Sequence, residues 1–449
     1  MLRRRFLAAA AVATLFAGLT ACGDDGGEAG DDSGGEQTVT FWHSMAGANG
    51  EAVNHLVEEF NKAHAGKIKV EATFQGKYND SLTKLKASVQ SRQTPNLVQV
   101  FEIGTQLMAD TKATVAFADL AGPAGIDTAG VEPGIAKYYT IGGKLQALPF
   151  NASAPILFYN KTAFKEAGLD PEKPPTTIGE LAEAARKLKV SDGGKTTRYG
   201  AVASIDGWLV EQMLAAGGVQ YCNQDNGRSG RATAVNWDTP ELRGIVNTWA
   251  GLVKDGSLLN VGRNNSDASA AFQAGRAAML PFTSANLRDI MKGSKFEVGV
   301  ANYIRPDNTT ASGVFNGGAA VWTMAGHPKA QQAAAAEFLK YLASADAQGY
   351  WAAQTGYIPV VKAAAESKAF KDTLATYPDF AKPGAELRTA ATTPASSGCL
   401  MGVMPQARDK MNDIVESVIL GKTGADQAIT AAQTAMAEAI ATYNKSVGQ

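Results

Sequence analysis

Residues 38–101 read TVTFWHSMAGANGEAVNHLVEEFNKAHAGKIKVEATFQGKYNDSLTKLKASVQSRQTPNLVQVF, and the periods within this stretch decide the fold class. Thr38–Trp42 is a short strand built on Val39 and Phe41. Gly47-Ala48-Asn49-Gly50 makes a turn, after which Val53, Leu56, Val57 and Phe60 recur at helical spacing, with Glu51, Glu58 and Glu59 among the polar positions. Ile68, Val70 and Ala72 alternate as a strand across Lys67–Thr73. Leu82, Leu85 and Val89 share one face of a helix over residues 80–90, Asn96–Phe101 is an apolar strand, and a helix starts after Gly104. Strand and helix alternating from the outset predict an α/β fold with a largely parallel sheet.

The same style continues downstream. Pro155–Tyr159 reads as a buried strand. Thr177–Lys187 is a helix with Leu181, Ala184 and Ala185 inward, and Thr177 and Glu180 have capping-box spacing. The C-terminal third is mostly helical: Gln331–Leu342, Asn412–Leu420 and Ala425–Tyr443, the last two broken at Gly421. No internal repeat of fixed period is present.

Upstream, Arg3, Arg4 and Arg5 precede an apolar run from Phe6 to Leu19 and then Thr20-Ala21-Cys22. A charged head, an apolar middle and small residues before a cut site make an export signal. Leu19-Thr20-Ala21-Cys22 resembles a bacterial lipobox, which implies a signal peptide over 1–21 and a lipid, palmitate included, on Cys22. A plain signal peptide with a chance Cys is the alternative, and Arg3–Leu7 also fits a twin-arginine pattern loosely. Residues 22–37 are the lipid-attached Cys and an acidic spacer. Six acids and a single apolar side chain, Ala29, lie between Gly23 and Glu36, too little apolar surface to offset ordering. The expected place is therefore the outer face of the cell membrane, with the folded part in water.

Charge is nearly balanced, 42 Lys+Arg against 43 Asp+Glu, and losing three arginines with the leader moves the formal net from −1 to −4. No basic face stands out, so nucleic acid is not an expected partner. Beyond the N-terminus no apolar run is long enough to span a bilayer. Of the remaining cysteines, Cys222 and Cys399 lie in polar, loop-like surroundings in an oxidising compartment. A disulfide between them is expected, with two buried free thiols as the alternative. No CxxC or Cys/His cluster suggests a metal, and no cofactor is implied. Four scattered histidines, with no HxH, HExxH or GxSxG, offer no metal cluster or activated nucleophile, so an exported phosphodiesterase is the remote alternative. His43 is assigned to packing, and His55, His64 and His327 to the surface.

Several blocks carry a family resemblance. They are Phe41-Trp42-His43-Ser44-Met45 with Gly47 and Gly50, Gly76-x-Tyr78, Phe101-Glu102-Ile103-Gly104-Thr105 and Pro149-Phe150-Asn151-x-Ser153, leading to Tyr159-Asn160-Lys161. Gly317-Gly318-Ala319, Trp322, Thr355-Gly356-Tyr357-x-Pro359 and Met404-Pro405-Gln406-x-Arg408 follow. Over residues 38–445 the chain resembles the extracellular solute-binding proteins of the maltose-binding-like group. Within that group it is similar to the binding proteins of glycerol-3-phosphate and glycerophosphodiester (glycerophosphocholine) ABC importers. The resemblance implies two α/β lobes joined by a hinge crossed several times, lobe 1 over 38–150 and 281–313 and lobe 2 over 151–280 and 314–449. It implies a small-molecule ligand in a closing cleft, delivery to the permease subunits, a monomer, and no enzymatic activity.

Position by position, the resemblance places ligand contacts at Tyr78, Glu102, Ser153, Ser284, Gly318, Tyr357 and Arg408. The chemistry is coherent on its own terms. Arg408 offers a planar fork suited to two phosphate oxygens, while the hydroxyls of Tyr78, Tyr357 and Ser284 and the Gly318 N–H can donate. Glu102 would repel a phosphate and should face glycerol hydroxyls. Ser153 sits at the first hinge crossing. Thr283, beside Ser284, could take its place. Each residue also has an ordinary alternative: a surface ion pair for Arg408, a packed loop residue for Tyr357, a helix cap for Glu102. The family pattern has two tryptophans three residues apart where this chain has Ile205 and Trp208. The smaller Ile205 should leave room beside the phosphate. That favours a diester such as glycerophosphocholine, its quaternary ammonium against Trp208 and countered by Asp206. A sugar in the same fold is the competing ligand.

Overall fold

The computed structural model describes residues 35–448. The export signal, Cys22 and most of the acidic spacer lie outside the described residues. In chain order the principal strands are β1 (Gln37–His43), β2 (Ile68–Phe74), β3 (Leu97–Phe101), β4 (Thr114–Val115), β5 (Leu148–Ser153), β6 (Pro155–Asn160), β7 (Met279–Thr283), β8 (Val298–Asn302) and β9 (Gly317–Met324). β1 opens at Gln37, the last residue given to the spacer.

The first sheet runs β2-β1-β3-β9-β4, with β5 also pairing β9. β1 is parallel to both β2 and β3, because helices α1 (Gly47–Ala63) and α2 (Tyr78–Ser91) make the crossovers that parallel neighbours require. The face of α1 read from the sequence is the one that packs: Val53, Leu56, Val57 and Phe60 are buried. β9 runs antiparallel to β3, β4 and β5. The second sheet is antiparallel, β7-β6-β8, with β6 buried throughout its length. Beside it, Ala201–Ala203 pairs in parallel with Leu258–Asn260. Helices α3 (Gly207–Ala216), α4 (Lys382–Thr389), α5 (Met404–Ile419) and α6 (Ala425–Ser446) complete the part that shapes the site.

This pairing corrects the segment boundaries. Residues 281–313 were expected in lobe 1, but β7 and β8 flank β6 in the second sheet, with Met279 opposite Tyr159 and Val298 opposite Asn160. β9, expected in lobe 2, lies between β3 and β4 in the first sheet. The helix Lys329–Leu342 packs on the same lobe, with Phe338 edge-on to Phe41 at 5.8 Å. The chain therefore passes between sheets at Ala154, directly between β5 and β6, and again over residues 303–316, between β8 and β9. Thr177 caps its helix with Glu180 in a complete capping box, as its spacing predicts.

Cys222 and Cys399 form a disulfide, Cα atoms 6.0 Å apart, closing a separation of 177 residues. No helix among the described residues is long and apolar enough to cross a membrane.

Candidate functional site

β3 delivers the first carboxylate. Phe101 ends the strand, and Glu102–Gly104 turn the chain into the short helix Thr105–Asp110, which leaves Glu102 buried just past the C-terminal end of this central strand. Tyr78 begins α2 and stacks flat on Phe101, ring centres 5.1 Å apart. A chain of buried amides fixes its hydroxyl. Gln99 Oε1 accepts from the Ser44 N–H (2.8 Å), Gln99 Nε2 donates to Asn151 Oδ1 (2.8 Å), and Asn151 Nδ2 donates to the Tyr78 hydroxyl (2.9 Å). The Tyr78 and Tyr357 phenols influence each other electrostatically, and Tyr357 stacks on Trp351 at 5.4 Å. Burial pushes both phenols up, so they stay protonated donors.

The other wall comes from α3 and α5. Asp206 caps α3, its Oδ1 accepting from the Trp208 N–H at 2.9 Å. Trp208 lies against Gly317, where any Cβ would meet the indole at 2.5 Å. Its indole N–H is buried with no partner among the described residues. The two helices approach closely at Gly207, where a Cβ would meet the Arg408 carbonyl at 2.7 Å. Gly318 adopts φ +93°, and a Cβ there would lie 1.8 Å from the Asn151 carbonyl, so only glycine keeps this stretch of β9 against β5.

These surfaces enclose a cleft of about 340 Å³. It is lined by Tyr78, Glu102, Ser153, Asp206, Trp208, Gly318, Tyr357 and Arg408, seven residues of the expected ligand set together with the expected specificity residue Asp206. Two expected residues lie elsewhere. Ser284 is fully buried, its Oγ accepting from the Ala154 N–H at 3.2 Å, while its neighbours Thr283 and Ala285 face the cleft. The strand β7 ends at Thr283, and the alternation at that end puts Ser284 into the hinge. Ile205 points away from the cleft into a small apolar void of about 20 Å³ among Leu209, Trp249 and Val415, so it leaves no room beside a cleft ligand.

The charge arrangement was not foreseen. Arg408 Nε donates to Glu211 Oε2 at 2.7 Å, and Nη2 lies 2.6 Å from the same oxygen and 3.1 Å from Glu102 Oε1. One edge of the guanidinium fork is therefore engaged by Glu211, Nη2 also reaches across the cleft to Glu102, and Nη1 remains. Burial pushes the Glu102 carboxyl up to about 7 against the pull of Arg408. Burial raises Glu211 as well, again opposed by Arg408. For Arg408 burial works against the charge, but the two carboxylates outweigh it and hold the proton firmly. Asp409 and Asp206 stand on the same lining, and Arg408 is its one cation among the described residues. Asn49, Asn79, Asn265, Asn286 and Asn412 supply amides around the rim. Glu211 had one signal in the sequence, a lone acid in the apolar run Trp208–Ala216. No group of three or more His, Cys, Asp or Glu among the described residues could hold a metal. His43 is buried in the first lobe, and burial lowers its pKa to about 4.

Residues 55–382 match the family model described as bacterial extracellular solute-binding protein. The sn-glycerol-3-phosphate-binding periplasmic protein UgpB of Escherichia coli K12 is 32% identical over 402 residues, covering 88% of this chain and 90% of its own length. Among solved structures, UgpB from Mycobacterium tuberculosis in complex with glycerophosphocholine superposes with a TM-score of 0.76 at 20% identity, covering 91% of this chain and 99% of that one. The cyclic alpha-maltosyl-1,6-maltose binding protein of Arthrobacter globiformis gives 0.69 at 23% identity, covering 90% and 98%.

Proposed function

Because the chain belongs to the bacterial extracellular solute-binding protein family, we propose that its cleft captures a zwitterionic glycerophosphodiester of the glycerophosphocholine kind. The chain is an exported substrate-binding protein of an ABC importer, and proteins of this family transport solutes rather than transform them. The observation that carries the ligand reading is Arg408 already held by two buried carboxylates. A phosphomonoester brings up to two negative charges into a cleft whose one cation is paired and whose rim adds Asp206 and Asp409. A choline diester brings one negative charge and its own cation.

In this reading the phosphate takes Arg408 Nη1, the Tyr78 and Tyr357 hydroxyls and the Gly318 N–H. Glycerol hydroxyls donate to Glu102. The quaternary ammonium lies against Trp208, with Asp206 and Asp409 as countercharge, an arrangement worth about 0.5–2 kcal/mol for the cation–π contact. The space argument from Ile205 falls away; the acidic wall takes its place. The names of the relatives support a phosphoester, since one is called a glycerol-3-phosphate-binding protein and another is bound to glycerophosphocholine. The ring of asparagines and Trp208 on the lining suit a sugar, as the Arthrobacter neighbour's name also suggests, and this is the second reading.

The two readings separate at Arg408. Arg408→Ala should weaken glycerophosphocholine binding at least about a hundredfold, since it removes a charged donor. Retained diester affinity in that variant would overturn the phosphate site. The substitution also strands Glu102 and Glu211, so thermal unfolding is measured alongside. Trp208→Leu, which leaves the ion pairs intact, should lower choline-diester affinity about tenfold while sparing glycerol-3-phosphate.

A further inference from the structure

A second groove, of about 690 Å³, shares no lining residue with the cleft. It lies where the chain leaves β8 for residues 303–316, beside the end of α4, with Pro174 and Pro175 on its far wall. Glu386 of α4 lines it and is only 7% exposed. Its Oε1 accepts from the Tyr303 backbone N–H at 2.8 Å, and its Oε2 is buried with no partner among the described residues.

Among the described residues, none of the nearby cations pairs with Glu386. Arg305, on the groove, gives Nε to the Thr309 carbonyl and Nη1 to the Thr176 carbonyl, each at 3.2 Å. Lys173 lies 3.4 Å from Asp170. On α4 itself, Lys382 bonds the Val300 carbonyl and Asp379, and Arg388 faces Glu132. The remaining acid on the groove, Glu172, is paired with Lys161. Glu386 is thus a buried carboxyl without a countercharge, and burial pushes it up to about 8. Ionising a buried carboxyl without a countercharge is costly, and a cationic donor brought to it from outside would offset that cost.

We propose that this groove is a second ligand site, taking a small protonated amine whose ammonium donates to Glu386 Oε2. The prolines and alanines of the lining accommodate the amine's alkyl part. Because Glu386 holds a proton near neutrality, an arriving ammonium displaces it.

The test is calorimetric titration of the mature chain with propylammonium at pH 7 in two buffers of different ionisation enthalpy, for the native chain, Trp208→Leu and Glu386→Gln. The expected result is millimolar or tighter binding with proton release, unchanged in Trp208→Leu, which keeps the Arg408 ion pairs. Glu386→Gln keeps the acceptor for Tyr303, and it should bind at least about tenfold more weakly and release no proton. Equal binding by Glu386→Gln, or no binding by the native chain, would overturn the proposal. The Trp208→Leu arm keeps this outcome separate from that of the cleft.

Discussion

Between Glu102 and Glu211 the Arg408 guanidinium meets more negative charge than it carries, and the consequence is a pH dependence with a definite sign. Glu102 titrates at about 7 in the free protein. A phosphate arriving at Arg408 competes with this carboxylate and raises its pKa further, so the complex holds a proton that the free protein has begun to lose. Affinity for an anionic ligand is then full below about pH 7 and falls as pH rises above it. Glu102→Gln should flatten the profile between pH 6 and 9 as measured by calorimetry. A profile that rises with pH would mean that ionised Glu102 is needed as an acceptor for ligand hydroxyls and that its repulsion of the phosphate does not govern binding. Tyr78, Glu102, Ser153, Trp208, Gly318, Tyr357 and Arg408, which line the cleft, were picked out by the family resemblance rather than by any local period. Glu211 was not, because its partner is 197 residues away and nothing local marks which buried acid meets which cation. Ser284 failed on one step of register at the end of β7.

At the scale of elements, the disulfide joins the loop before residues 223–227 to the segment that leads into α5. Gln224, Asp225 and Asn226 all have positive φ there, a conformation that is costly for side-chain residues. Asn226 holds it, accepting from the Cys222 N–H and donating to the Pro394 carbonyl, each at 2.9 Å. Arg228 extends the same knot to the Tyr138 carbonyl at 3.1 Å, on the first lobe's side. Replacing both cysteines by Ala should cost about 2–5 kcal/mol, read from denaturant unfolding of the native and double-variant chains. A loss below about 0.5 kcal/mol would show that the knot holds without the bond. The helices were largely legible from periodicity, and Gly421, at φ 65°, does separate α5 from α6. The sheet membership of β7, β8 and β9 was not legible. A short apolar strand shows that it is buried, but not in which sheet, and antiparallel partners far apart in sequence leave no local mark.

On the scale of the whole molecule, Glu102 directly follows a strand of the first sheet, while Arg408 and Glu211 stand on helices of the other lobe, so the ligand site exists only where the two meet. A ligand that adds contacts on both sides favours the closed arrangement by its differential affinity, which is the signal a permease can read. The fold class was readable from residues 38–101 alone, whereas the closing geometry depends on crossings that no single stretch encodes. We also propose that Cys22 carries a lipid that holds the protein at the membrane. Cys22→Ala should move it from the membrane fraction to the soluble fraction of expressing cells; continued membrane association would remove the anchor from the account.

The measurement that bears most directly on the central claim is isothermal titration calorimetry of residues 23–449 with glycerophosphocholine, glycerol-3-phosphate and a disaccharide. An acid-flanked Arg408 predicts binding of the zwitterionic diester, weaker binding of the monoester by at least about tenfold, and little or none of the sugar. Tight binding of the disaccharide alone would leave the fold and the transport role standing. It would contradict the phosphate site and the part given to Arg408.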